Sequence, residues 1–184
     1  MQRIEFQRRC QIKTAANRKN VLFVTPPYHS GVDEIAGRWI PLGLLYLAGA
    51  VRQAPLDAEI YDAMAKGHAY PEIELRFRES MADYVATTAI TATIAAAVKT
   101  LELAKKIKPE SVTILGGVHP TFMCEEVFAS SAAVDYIVIG EGSYTPVSAG
   151  SSGGRRRPRD RRRDRFSAER GDCQDRQAPA YGYY

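Results

Sequence analysis

No apolar run in this chain approaches the roughly 18 to 20 residues that a membrane-spanning helix needs. The N-terminal stretch MQRIEFQRRCQIKTAANRKN is basic but has no apolar h-region, so no signal peptide is expected. Cysteine is scarce. Cys10, Cys124 and Cys173 are spaced neither as a disulfide framework nor as a CxxC metal knuckle, and a reducing cytoplasm is the simplest compartment. The GxGxxG dinucleotide fingerprint is missing, as is the Walker A lysine loop. A CxxxCxxC triad for an iron–sulfur cluster is absent too. These absences remove the commonest cofactor signatures of an α/β chain.

The charge is unevenly placed. Residues 1–146 carry 15 Lys+Arg against 16 Asp+Glu, whereas residues 147–184 carry 10 Arg against 5 acids. The net charge of +4 therefore belongs to the tail, and specific nucleic-acid binding is not expected from it. After Pro146 the chain has no Leu, Ile, Met, Trp, Lys or His. Such a segment buries too little apolar surface to offset its ordering entropy, so residues 147–184 are expected to be disordered. Three regions follow: a basic arm over 1–19, a globular domain over 20–146, and the Arg-rich tail over 147–184.

Within the domain, short apolar runs alternate with helical patterns. Strands are predicted at Val21–Thr25, Ala58–Tyr61, Tyr84–Thr88, Ser111–Leu115 and Val134–Ile139. Helices are predicted at Pro41–Arg52, Pro71–Ser80, Thr91–Lys108 and Thr121–Ser130. In the third of these, Ile94, Ala97, Val98, Leu101 and Ala104 form one face. The pattern predicts an α/β fold, a doubly wound five-stranded parallel sheet of Rossmann-like or flavodoxin-like type.

Ligands of open α/β sheets sit beyond the carboxyl ends of the strands, so the residues there are the candidates. After the first strand come Tyr28, His29, Ser30 and Gly31, and after the second Asp62, Met64 and Gly67. The third contributes Thr87, Thr88, Ala89, Ile90 and Thr91. The fourth contributes Gly116, Gly117, Val118 and His119, and the fifth Gly140, Glu141 and Gly142. Small residues at four of the five ends leave room for a large ligand and offer backbone donors. Each has a plainer alternative: Gly116-Gly117 as a tight strand end, His119 as a loop hydrogen-bonder, Asp62 as a turn residue. Cys124 reads as a small buried residue and Trp39 as a packing anchor.

The pieces PPYHSG…EIAGRW, DAMxxG, TAIT, GGVHPTF and GEG resemble the N-terminal cobalamin-binding domain of B12-dependent radical S-adenosylmethionine proteins, over roughly residues 20–142. YHSG…EIAGRW and DAM point more narrowly to the oxidative-cyclase branch of bacteriochlorophyll synthesis. The resemblance implies a corrinoid partner and a cobalamin cofactor held near the strand ends above. It also implies that a porphyrin substrate concerns only the full-length enzyme.

Two departures qualify the resemblance. Classical B12 domains have DxHxxG, whose His replaces the lower base on cobalt, whereas this chain has Asp62-x-Met64-x-x-Gly67. Cobalamin bound base-off, with no His ligand, is the implied state. The family's GEGE becomes Gly140-Glu141-Gly142-Ser143, after which the pattern stops. The expectation is that residues from about 143 onward are an out-of-frame product. The 4Fe-4S cluster and S-adenosylmethionine of the parent family are then not expected in this chain. Retranslation of the neighbouring DNA tests this, and it fails if no frame restores GEGE and a downstream CxxxCxxC. Three other readings stay open, the first being the B12-binding domain of another radical S-adenosylmethionine enzyme. A receiver-type module would need acidic residues after the first strand and an Asp after the third, where Thr25-Pro26-Pro27 and Thr88-Ala89 stand. A nucleic-acid binder would act through the tail.

Gly117 carries a sharper expectation. If the glycine pair lets backbone approach the ligand, Gly117→Val should abolish binding while leaving the fold intact.

Overall fold

The computed structural model describes residues 18–28, 40–54 and 56–141, and the backbone of 167–169. β1 (Lys19–Val24) is followed by α1 (Leu42–Val51) and β2 (Leu56–Tyr61). A short α2 (Ala63–Lys66) and α3 (Tyr70–Glu79) lead to β3 (Tyr84–Thr88). α4 (Ile94–Ile107), β4 (Val112–Gly116), α5 (Val118–Phe122), α6 (Cys124–Ser130) and β5 (Tyr136–Val138) complete the alternation.

The five strands are parallel in the order β2-β1-β3-β4-β5. The expected doubly wound parallel sheet is therefore present. The chain winds outward from β1 in both directions, which places the topological switch point between β1 and β3. A sixth strand, β6 (Ser167–Glu169), adds antiparallel to the edge at β5, Val138 standing opposite Ser167. These three residues depart from the tail expected to be disordered, because their backbone takes up the open edge of β5. The rest of the tail and the arm over residues 1–17 lie outside the described residues, as does Trp39.

The two faces of the sheet carry separate cores. Leu22 and Val24 of β1, Val85, Leu115 and Ile137 pack with Ile73 and Phe77 of α3, Leu101 of α4 and Phe128 of α6. On the other face, Val21 and Phe23 of the same β1 meet Leu44, Ala48 and Val51 of α1, together with Leu56 and Ala86. The unbroken apolar run Val21–Val24 is the consequence of burial on both sides.

Three helix starts depart from the sequence reading by more than one residue. α4 begins at Ile94 rather than Thr91, because Thr93 folds residues 90–93 into a turn. Its Oγ1 accepts from the Ile90 N–H at 3.0 Å, and its own N–H donates to the Ile90 carbonyl at 3.0 Å. The helix expected from Thr121 is two helices, α5 and α6, and α5 already starts at Val118. Pro120 does not prevent this, since a first-turn residue needs no intrahelical N–H partner. α2 was not expected at all; Asp62 caps its start and Gly67, at φ 65°, ends it. Among the described residues no helix is long and apolar enough to cross a membrane.

Candidate functional site

The carboxyl ends of β3, β4 and β5 converge on a cavity of about 240 Å³ that runs along the α1 face of the sheet. Six predicted residues line it: Thr87, Thr88, Gly116, Gly117, Gly140 and Glu141. The deeper wall is apolar. Val21, Phe23, Ala86 and Ile114 form the sheet side, and Leu44 and Leu47 of α1 face them.

The loops at the mouth are tied to one another by hydrogen bonds. The Ala89 N–H donates to the Gly116 carbonyl at 2.9 Å, and the His119 N–H to the Ala89 carbonyl at 3.2 Å. His119 Nδ1 lies 3.2 Å from Thr91 Oγ1. Thr121 Oγ1 donates to the Gly117 carbonyl at 2.7 Å and accepts from the Gly140 N–H at 3.1 Å, linking the ends of β4 and β5. His119 thus ties the loop after β4 to the loop after β3. Thr87 is also committed: its buried hydroxyl donates to the Val24 carbonyl at 2.7 Å, joining β3 to β1. Ile90 and Val118 expose apolar side chains beside this mouth.

Gly117 lines the cavity, but its need to be glycine comes from the chain itself. Its φ is 106°, and a Cβ there would stand 2.5 Å from the Ala89 carbonyl oxygen and 2.6 Å from Thr88 Oγ1. The close approach is to the end of β3, so a side chain would strain the fold as well as the site. The sequence-based expectation that Gly117→Val spares the fold does not agree with this geometry.

A second cluster forms at the ends of β1 and β2, apart from the cavity wall. Thr25 Oγ1 donates to Asp62 Oδ1 at 2.9 Å and accepts from the Met64 N–H at 3.1 Å. Asp62 Oδ1 also accepts from the Ala65 N–H at 2.9 Å, its capping bond. Asp62 thus holds the α2 turn, and the buried Thr25 pins that turn to β1. Past Gly67, His68 Nδ1 lies 2.6 Å from the Tyr61 hydroxyl. Burial above all, and then the Glu72 carboxylate, push the Tyr61 phenol above its ordinary 10.0. Tyr28 is half-buried at the end of β1. His29, Ser30, Gly31 and Gly142 lie outside the described residues.

Sequence reasoning missed the residues that give the cavity its shape. Gly43, in the first turn of α1, lines it, and a Cβ there would meet nothing within 4 Å. A glycine inside a helical pattern costs about 1 kcal/mol relative to alanine, which was a readable signal. Leu44, Ile114 and Val138 gave none, because each reads as ordinary core. Cys124 is buried, as expected. Among the described residues no group of three or more His, Cys, Asp or Glu is placed to hold a metal ion.

Comparison with known proteins agrees with this arrangement. The B12 binding domain family matches residues 28–149. The anaerobic magnesium-protoporphyrin IX monomethyl ester cyclase of Cereibacter sphaeroides is 42% identical over 129 residues, which is 70% of this chain and 21% of the relative. The cyclase of the same name from Rubrivivax gelatinosus is also 42% identical over 129 residues, 70% of this chain and 23% of the relative. The chain thus spans about a fifth of the length of these relatives. In fold it resembles TsrM of Kitasatospora setae, a radical S-adenosylmethionine methyltransferase solved with cobalamin and a [4Fe-4S] cluster bound. The TM-score is 0.63 at 16% identity, covering 76% of this chain and 27% of that one.

Proposed function

The chain belongs to the B12-binding domain family, and from that premise we propose that it binds a corrinoid at the carboxyl ends of β1, β3, β4 and β5, with the nucleotide tail in the cavity beside α1. The observation that carries this reading is the cavity itself, apolar within and bounded by Thr88, Gly116, Gly117 and Gly140 at its mouth. Small residues there let a bulky ligand lie against backbone, and two packed walls exclude water from an apolar group. The residues present fit the cofactor. Thr88, Gly117, Gly140 and Glu141 would border the tail's polar section, while Leu44, Leu47 and Ile114 would enclose its end.

The α2 turn would stand at the corrin, with Met64 where classical members carry the ligating His. A thioether is a weak neutral donor, so the reading is of cobalamin bound base-off with no protein imidazole on cobalt. What the cofactor supplies when bound is cobalt-centred chemistry; the protein's part is to hold and orient it. We further propose, from the 42% identity to the two cyclases, that the corrinoid held here serves oxidative ring closure on a porphyrin.

Hydroxocobalamin titrated into the protein, alone and as Gly43→Leu, tests the reading. The wild type should bind. The variant, whose new side chain fills open cavity space, should bind about tenfold or more weakly with an undiminished melting temperature. Equal affinities would remove the tail from this cavity. Electron paramagnetic resonance of the Co(II) form should show no axial nitrogen splitting, and its presence would overturn the base-off assignment.

A further inference from the structure

α1 carries two apolar stripes, and only one of them faces the sheet. Leu44, Ala48 and Val51 are buried. Leu42, Leu45, Tyr46 and Gly49, spaced i, i+3, i+4 and i+7, lie on the opposite side and are exposed. Tyr46 is 75% exposed and Leu42 62%, and Ile40, just before the helix, is 69% exposed. A surface helix ordinarily turns polar and charged residues outward, whereas a helix that is apolar all round is one that is covered all round. α1 has no charged residue anywhere from Leu42 to Val51. The stretch over residues 147–184 has no Leu, Ile or Met to set against such a face.

The outer stripe is complementary to itself. A Cβ on Gly49 would meet nothing within 4 Å, so the helix surface there is a shallow seat, one turn from the exposed Tyr46 ring. Neither residue lines the cavity beside the sheet.

We propose that this stripe docks a second copy of the chain, α1 against α1. The two helices cross antiparallel about a two-fold axis opposite the midpoint of Tyr46 and Gly49. Each Tyr46 then rests on its partner's Gly49, so the same patch serves both copies, as a two-fold interface requires. Leu42 lies toward the Gln53 end of the partner helix, and Leu45 borders the contact. Glycine at the seat lets the axes approach to about 8 Å, the near end of the range for packed helices. No like charges are brought together. The apolar surface left open by Ile40, Leu42, Leu45 and Tyr46 is on the order of 500 Å², near the upper end of what a monomer exposes in one patch. Two copies therefore bury about 1,000 Å², the lower end for a specific interface, and the dimer is a weak one.

Sedimentation velocity of the full chain between about 1 and 100 μM tests this. The wild type should pass from monomer to dimer in that range. The midpoint should not move between about 0.15 and 1 M salt, because no charge takes part. Gly49→Leu fills the seat and should weaken dimerisation about tenfold or more, while the melting temperature does not fall, leucine being the better helix former. Gly49→Tyr should weaken it similarly. Combining Gly49→Tyr with Tyr46→Gly exchanges ring and seat within the same contact and should restore the wild-type midpoint. A wild type that stays monomeric throughout overturns the pairing and leaves the stripe to another occupant, such as the part of the chain that the longer relatives carry beyond this domain. Dimers that persist in Gly49→Leu, or that dissociate as salt is raised, assign association to another surface and overturn it too. A double variant as weak as Gly49→Tyr overturns the seating of Tyr46 on Gly49.

Discussion

On one face of the sheet α3, α4 and α6 press Phe77, Leu101 and Phe128 against Leu22, Val85 and Leu115. On the other, α1 is the only helix among the described residues, and Ile114 and Val138 border a cavity instead of a second helix. The same strands supply both faces, so β-propensity and strand patterning do not distinguish them. The difference lies in what is laid against them. Close packing on the first face supplies stability, and among the described residues the second is left with the room that the proposed ligand would fill.

The largest expected effect breaks the closed face. Phe77 is fully buried in α3, and Phe77→Ala should cost about 3–5 kcal/mol in urea denaturation. The folded fraction should still bind corrinoid like the wild type. A loss of affinity in that fraction would show the two faces to be coupled.

Gly117→Val is next. The strain of a β-branched residue at φ 106° adds about 1–3 kcal/mol, before the clash with Ala89 is relieved. Stability and corrinoid affinity should fall together, because the residue serves the strand end and the cavity wall at once. An unchanged melting temperature with lost binding would return Gly117 to a purely ligand-directed role. Set beside Gly43→Leu, which should weaken binding without lowering stability, it separates glycines that serve the chain from those that serve the cavity.

The smallest effect is one of pH on the closed face. The Glu72 carboxylate accepts from the Ala69 N–H at 3.0 Å at the start of α3. Backbone hydrogen bonds from Glu72 and Ala69 hold it below its ordinary 4.5. Because the folded value is the lower one, this contribution is fully present above the ordinary value and is lost as pH falls through the lowered one. The protection of the Ala69 amide against exchange, relative to its intrinsic rate at each pH, should therefore fall in acid, and Glu72→Gln should remove most of that dependence. Protection that falls equally with pH in the variant would assign the effect to another carboxylate.

Much of the fold was legible because its determinants are local. Val21-Leu22-Phe23-Val24 is apolar without interruption, and only a strand covered on both sides uses such a run. The i, i+3, i+4 spacing of Ala97, Leu101 and Ala104 specified the buried side of α4 in the same way. The mouth was legible too, since Thr88, Gly116-Gly117 and Gly140 directly follow their strands and topology brings strand ends together. The groove was not. Val21, Leu44, Ile114 and Val138 come from four separate elements, each obeying an ordinary core pattern. Nothing within one element tells whether its partner fills the gap or leaves it. The commitments of Thr25 to Asp62 and of Thr87 to Val24 escaped for the same reason, being hydrogen bonds 37 and 63 residues apart in sequence.

The position of β1 has a consequence for how the chain assembles. It is the first strand among the described residues, yet its neighbours in the sheet are β2 and β3. The tie between Val24 and Thr87 closes a loop of 63 positions. Closing so long a loop costs entropy before any contact is gained, and chains ruled by distant contacts fold slowly. During synthesis β1 therefore has to wait with one edge unpaired until β3 has been made. The switch point can therefore close only once β3 is made, and β4 and β5 add to the sheet after it.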